Sequence, residues 1–116
     1  MSISAKQILQ DRRRASERLK HEAPDLFAGF RDMVERYYAP GALDTREKEL
    51  AAIACSVAME SASSLAVHVA NAMTAGATRQ QVIEAAAVGV EFGGGPSYTL
   101  VRDHLLGFLD EVEAEG

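Results

Sequence analysis

Residues 44–75 read DTREKELAAIACSVAMESASSLAVHVANAMTA, and the pattern of this stretch decides the fold. Asp44 stands three residues before Glu47, the spacing of a capping box. In such a box Asp44 accepts a helix-start amide and Glu47 reaches back to the cap backbone. Beyond it Leu50, Ala51, Ile53, Ala54, Cys55, Val57 and Ala58 cover most of a helix circumference, so this helix is expected to lie centrally. Propensity alone would carry it on to Ala75, since no proline or glycine intervenes. The cluster Glu60, Ser61, Ser63 and Ser64 is the only candidate break, because serine hydroxyls compete for backbone hydrogen bonds and favour caps. A tight turn near residues 59–60 is predicted, which makes the stretch a central antiparallel helix hairpin.

The flanking chain supplies helices on both sides. Upstream, a first helix starts near Ser4 and runs through Lys20. Its apolar positions Ile8, Ala15 and Leu19 form only a narrow stripe, so it is expected to be peripheral and to find a partner on another subunit. Pro24 suits the start of a second helix whose broad apolar face holds Leu26, Phe27, Phe30, Met33, Val34 and Tyr37, and Pro40-Gly41 ends it. Downstream, Gly76 is placed to stop the hairpin's second helix. Thr78 and Gln81 form another capping box, opening a fifth helix through Val82, Ile83, Ala86, Val88 and Val90. Gly93-Gly94-Gly95-Pro96 ends or kinks that helix. From Ser97 a sixth helix turns Leu100, Val101, Leu105, Phe108, Leu109 and Val112 inward. The expectation is an all-α fold of about six helices in one domain spanning residues 1–116.

Composition narrows the function classes. The 116-residue chain is 47% hydrophobic with a net charge of −5, which argues against a nucleic-acid-binding surface. Its one basic cluster, Arg12-Arg13-Arg14 with Arg18 and Lys20, reads as a solvated helix face paired with Asp11, Glu17 and Glu22. No apolar signal core follows the N-terminus and no stretch approaches the roughly 20 apolar residues of a membrane span, so a cytoplasmic protein is expected. The single cysteine, Cys55, has no internal disulfide partner. It is expected to be buried as a small hydrophobe.

The hairpin also places chemistry. Glu49 and His68 lie nine or ten residues from the turn on either side, so they come level and can meet. A carboxylate beside a histidine fixes the imidazole tautomer, as general acid–base work requires. Ser61, Ser64 and His68 fall at i, i+3 and i+7, on one helix face, where they could line one pocket. The alternatives are that His68 is a satisfied core histidine, Ser61 a helix cap, and Ser63 and Ser64 first-turn residues. A Ser–His–acid hydrolase lacks an evident oxyanion-binding element. His21 and His104 are expected on the surface, and three histidines so far apart suggest no metal site. The glycine run lacks the following Lys-Ser or Lys-Thr of a phosphate loop. Glu91 and Tyr98 flank it and read as structural.

Several pieces in order resemble a known family. They are Glu49-Leu50-Ala51-Ala52-Ile53-Ala54, Leu65-Ala66-Val67-His68-Val69-Ala70-Asn71-Ala72, Ala75-Gly76-Ala77-Thr78, Val82-Ile83-Glu84-Ala85 and Gly93-Gly94-Gly95-Pro96. Together they resemble the carboxymuconolactone decarboxylase and alkylhydroperoxidase AhpD-like family over residues 40–110. The resemblance implies an all-α cytoplasmic protein forming a homo-oligomer, a trimer or hexamer, with its site near subunit contacts; no cofactor is expected. The family's peroxidase branch carries a Cys-x-x-Cys pair whose second cysteine precedes a histidine by four residues, with a glutamate twelve residues before the first cysteine. Position by position, Glu49 matches that glutamate and His68 that histidine, while Ser61 and Ser64 occupy the cysteine positions.

A serine hydroxyl cannot cycle through a sulfenic acid or a disulfide, so dithiol peroxidase chemistry is not expected. The decarboxylase branch keeps the histidine but has a glutamate where this chain has Ser64. An acidic substrate would want a cationic grip, for which Arg46, Arg79 and Arg102 are loose candidates. The reading is a protein of this family whose site comprises Glu49, His68, Ser61 and Ser64, acting by acid–base catalysis or by binding a small molecule. The competing readings are a structural or regulatory homologue, and an oxidoreductase working through Cys55 and a partner thiol.

Overall fold

A computed structural model describes residues 3–115, and they form helices joined by short connections, with no strand among them. The helices are α1 (Ala5–Glu22), α2 (Pro24–Tyr38), α3 (Thr45–Ala58), α4 (Ala62–Thr74) and α5 (Arg79–Gly93). A last helix, α6, runs without a break through Gly95–Leu100, a π-helical stretch Val101–Leu105, and Leu106–Glu115.

Local chemistry sets most of the boundaries. Both predicted capping boxes are formed, Asp44 with Glu47 and Thr78 with Gln81, and Ser4 caps α1 through the Gln7 amide. The hairpin turn falls at Met59 and Glu60, and Glu60 adopts a φ of 56°. A glutamate in this left-handed region carries a steric penalty of about 1 kcal/mol, which the hydrogen bonds from the Glu60 amide to Val57 and from the Ser61 amide to Ser56 offset. Gly76 stops α4 with a φ of 97°, as its position suggested.

The core gathers Ile53 and Val57 of α3, Leu65, Ala66, Val69 and Ala72 of α4, Val82 and Ala86 of α5, and Leu105, Phe108 and Leu109 of α6. α3 packs on α4 along one side and on α5 along another. Gly89 lets α5 approach closely: a Cβ there would stand 2.3 Å from the Ala54 carbonyl oxygen and 2.8 Å from Val57 Cβ. α1 packs along α2 and reaches the core at its start, where Ala5 is buried and Glu111 accepts from the Lys6 amide at 2.8 Å.

Four expectations need correction. Cys55 is exposed, because α3 is covered mainly by α4 and α5, with slighter contacts from α2 and the start of α6, and Cys55, like Ala51, lies on the side left open. Ala15 is exposed and Leu19 is 42% exposed, since only the first turns of α1 reach the core. The broad apolar face of α2 contributes no buried residue, and Leu26 and Phe30 are each 62% exposed. His104 is half-buried rather than a surface residue, its ring stacked on Phe108 and its Nδ1 buried without a partner.

Candidate functional site

The hairpin brings Glu49 and His68 into direct contact, with His68 Nδ1 2.7 Å from Glu49 Oε1. The Glu49 side chain is 7% exposed and that of His68 20%, so the carboxylate is the deeper partner. A buried carboxylate needs a hydrogen-bond donor, and a neutral imidazole with its proton on Nδ1 supplies one. That tautomer leaves Nε2 as the ring's lone-pair nitrogen. Glu49 Oε2 and His68 Nε2 have no hydrogen-bond partner among the described residues.

Two further groups bear on the pair. Tyr38, at the end of α2, stacks on His68 with ring centroids 5.8 Å apart and an interplanar angle of 15°. Burial raises the Tyr38 pKa above its usual value, and the charges of Glu49 and Cys55 push it the same way. The phenol therefore stays protonated through neutral pH. Tyr38 is held by its backbone, whose carbonyl accepts from the Thr45 hydroxyl at 2.8 Å, while Lys48 Nζ donates to the next carbonyl, that of Ala39. Sequence reading singled out Tyr37 and overlooked Tyr38. The signal was there in a second tyrosine just before the Pro40-Gly41 break, close in sequence to the capping box that opens the Glu49 helix.

Beside the pair opens a groove of about 750 Å³, lined by Pro40, Asp44, Thr45, Arg46, Glu49, Asn71, Thr74 and Ala75. Glu49 belongs to this wall. Ser61 and Ser64 do not. They sit at the other end of the hairpin, where Ser61 caps α4 through the Ser64 amide. The Ser56 and Ser64 hydroxyls lie 3.0 Å apart, and Ser56 also donates to the Ala52 carbonyl. With its one proton on Ala52, Ser56 accepts from Ser64. The predicted grouping is thus divided: Glu49 and His68 meet, whereas Ser61 and Ser64 are engaged in local hydrogen bonds away from the groove.

The three candidate cationic grips also separate. Arg79 is committed to Asp110 and Glu113 and Arg102 to Asp103, leaving Arg46 on the groove wall. Among the described residues no three metal-ligating side chains come together, and no helix is long and apolar enough to cross a membrane.

A helical bundle built on a central hairpin, with a carboxylate–imidazole pair between its two helices, defines the class of this protein. The family model for the carboxymuconolactone decarboxylase family matches residues 24–103, and the chain belongs to that family. An uncharacterised protein of Cupriavidus necator is 27% identical over 98% of this chain and 100% of its own length. Uncharacterised protein 4 in the cox locus of Paracoccus denitrificans is 36% identical over 66% of this chain and 68% of its own. Among solved structures, a carboxymuconolactone decarboxylase family protein from Legionella pneumophila superposes with a TM-score of 0.87 at 29% identity, covering 93% of this chain and 96% of that one. A family member from Thermotoga maritima, 23% identical, shares the fold with a TM-score of 0.81 over 93% of this chain and 91% of its own.

Proposed function

We propose that the Glu49–His68 pair is a general acid–base centre that exchanges a proton with a small polar molecule entering the adjacent groove, without a dithiol cycle. The observation that carries this reading is the 2.7 Å contact between a buried carboxylate and His68 Nδ1. It fixes the imidazole and leaves Glu49 Oε2 and His68 Nε2 as the two uncommitted proton sites. Because Glu49 lines the groove, a ligand there comes beside its carboxylate, and His68 supports that carboxylate through the proton transfer. Ser61 and Ser64 are engaged as a cap and a hydroxyl contact, which supports a structural role for them.

The reading is tested by following deuterium wash-in and decarboxylation by NMR across a panel of small oxo- and hydroxy-carboxylates. Wild type is expected to accelerate at least one of them. Glu49→Gln and His68→Ala are each expected to lose about 100-fold, the usual range for a positioned acid or base. Full activity in both variants, or none in wild type, overturns the reading.

We further propose a homo-oligomer, trimeric or hexameric as the family resemblance suggests. The exposed apolar residues Leu26, Phe30, Met33 and Tyr37 of α2 support it, since a face of this kind on a small domain favours association. Light scattering on wild type and Phe30→Glu tests this: a wild-type monomer, or no change in mass, sinks it.

A further inference from the structure

The groove beside Glu49 lies where the first turn of α3 meets the last turn of α4, and its walls carry both signs of charge. Asp44, Thr45, Arg46 and Glu49 come from the start of α3, and Asn71 and Thr74 from the end of α4. Arg46 Nε is buried and has no hydrogen-bond partner. The contact of its guanidinium with Asp44 is long, at 3.6 Å. Arg46 forms no hydrogen bond among the described residues and its side chain is 38% exposed, so the guanidinium, though not its enclosed Nε, can take an acceptor supplied from the groove. The positive end of the α3 dipole reinforces that preference.

The other groups of the groove have the opposite demand. Glu49 has an uncommitted oxygen, Asp44 keeps negative charge on the wall, and the carbonyl end of α4 adds the negative end of its dipole. A simple anion would gain from Arg46 but meet two carboxylates. A simple cation would gain from the carboxylates but be repelled by the Arg46 guanidinium. A ligand carrying both an anionic group and a hydrogen-bond donor satisfies both walls. Asn71 and Thr74, whose side chains act as donor or acceptor, suit either part.

We infer that this groove binds a small carboxylate bearing a hydroxyl or ammonium group on the neighbouring carbon. Its carboxylate lies on Arg46 and its donor on Glu49. The inference deepens the acid–base reading by naming the ligand class of the same site, and it needs the groove but not the proton exchange.

Three compounds of one carbon skeleton separate the sources of affinity: 2-hydroxyvalerate, norvaline, and valerate, which lacks the donor. Each is titrated into isotope-labelled protein to about 10 mM, several times the millimolar Kd reasonable for so small a ligand. The expected result is movement of the amide signals of residues 45–48 and 71–75 with 2-hydroxyvalerate or norvaline, whichever donor the site takes, and binding of valerate at least about fivefold weaker. Arg46→Met is expected to weaken the better ligand about tenfold, as befits loss of a charge-assisted hydrogen bond. Should Arg46→Met fail to reproduce the wild-type spectrum away from α3, Thr74→Val at the exposed end of α4 takes its place, with a loss of a few fold expected.

No movement at these amides, valerate binding as well as the other two, or undiminished affinity in the variants overturns the inference. Binding here without proton exchange overturns the acid–base reading alone. Proton exchange with a ligand whose shifts lie elsewhere overturns this inference alone.

Discussion

The two ends of the α3–α4 hairpin are built from similar polar materials and do opposite things. At the closed end Ser56, Ser61 and Ser64 sit around the Met59–Glu60 turn, and each hydroxyl is used within the turn or the adjoining helix. At the open end Glu49 and His68 satisfy each other once and keep one proton site each, beside a groove. The lesson is that polarity between two helices is available for chemistry only where hydrogen-bonding capacity is left over. The serine hydroxyls are taken up in capping and local contacts, and the glutamate–histidine pair keeps a free site on each partner.

That contrast can be broken, starting with its largest effect. Removing the imidazole leaves a buried carboxylate without its donor, so His68→Ala is expected to lower unfolding free energy by about 2 kcal/mol in urea. This is below the usual cost for a broken buried pair because His68 is itself partly exposed. A loss indistinguishable from zero would mean the pair contributes nothing to the fold. At the other end Ser61→Ala should lose about 1 kcal/mol, the usual contribution of an N-cap, with proton-exchange activity unchanged. If that variant abolished activity while staying folded, the division between the two ends would collapse. Ser64→Ala should cost less, about 0.5 kcal/mol, since Ser56 keeps its bond to the Ala52 carbonyl.

The smallest effect is alkaline and sharpens the open end. The folded state raises the Tyr38 pKa above 10.0, so the unfolded chain gives up that proton first as pH climbs. The stability linked to Tyr38 is therefore fully present below about pH 10 and is lost as pH rises through the higher folded value. Tyr38→Phe should flatten this decline in thermal melts, and should remove one high-pH component from the ultraviolet titration of the three tyrosines. Loss of an ordinary component near pH 10 instead would place the raised phenol at another tyrosine.

Much of the fold was legible because its signals are local. Capping boxes at Asp44 and Thr78, the serine break and Gly76 each act within four residues, and they fixed the starts or ends of three helices. The Glu49–His68 contact was legible too, since an antiparallel hairpin converts distance from the turn into level. Ser61 and Ser64 were grouped with His68 by helical spacing. Ser61, however, is the cap, with extended backbone at φ −101° and ψ 98°, so helical spacing does not apply to it.

The groove was not legible as a unit. Arg46 and Thr74 are 28 positions apart, and neither carries a mark of the other. Cys55 was misplaced because an apolar run tells how much of a helix can be buried, not which side its neighbours leave open. The exposed face of α2 shows the same limit, since amphipathicity signals a covering surface without saying on which chain it lies.

The π-helical stretch Val101–Leu105 has a consequence for the register of the last helix. Ser97 and Leu109 are both fully buried, yet twelve residues of regular α-helix would leave them about a third of a turn apart. The wider turn absorbs that difference, working as a one-residue insertion tolerated inside a helix. A relative lacking it should align to this chain with a single-residue gap in this segment. Deleting one residue between Val101 and Leu105 should restore a regular helix and swing the remainder of α6 by roughly 100°. Phe108 and Leu109 would then leave the core, and the Glu111 carboxylate would be carried away from the first turn of α1.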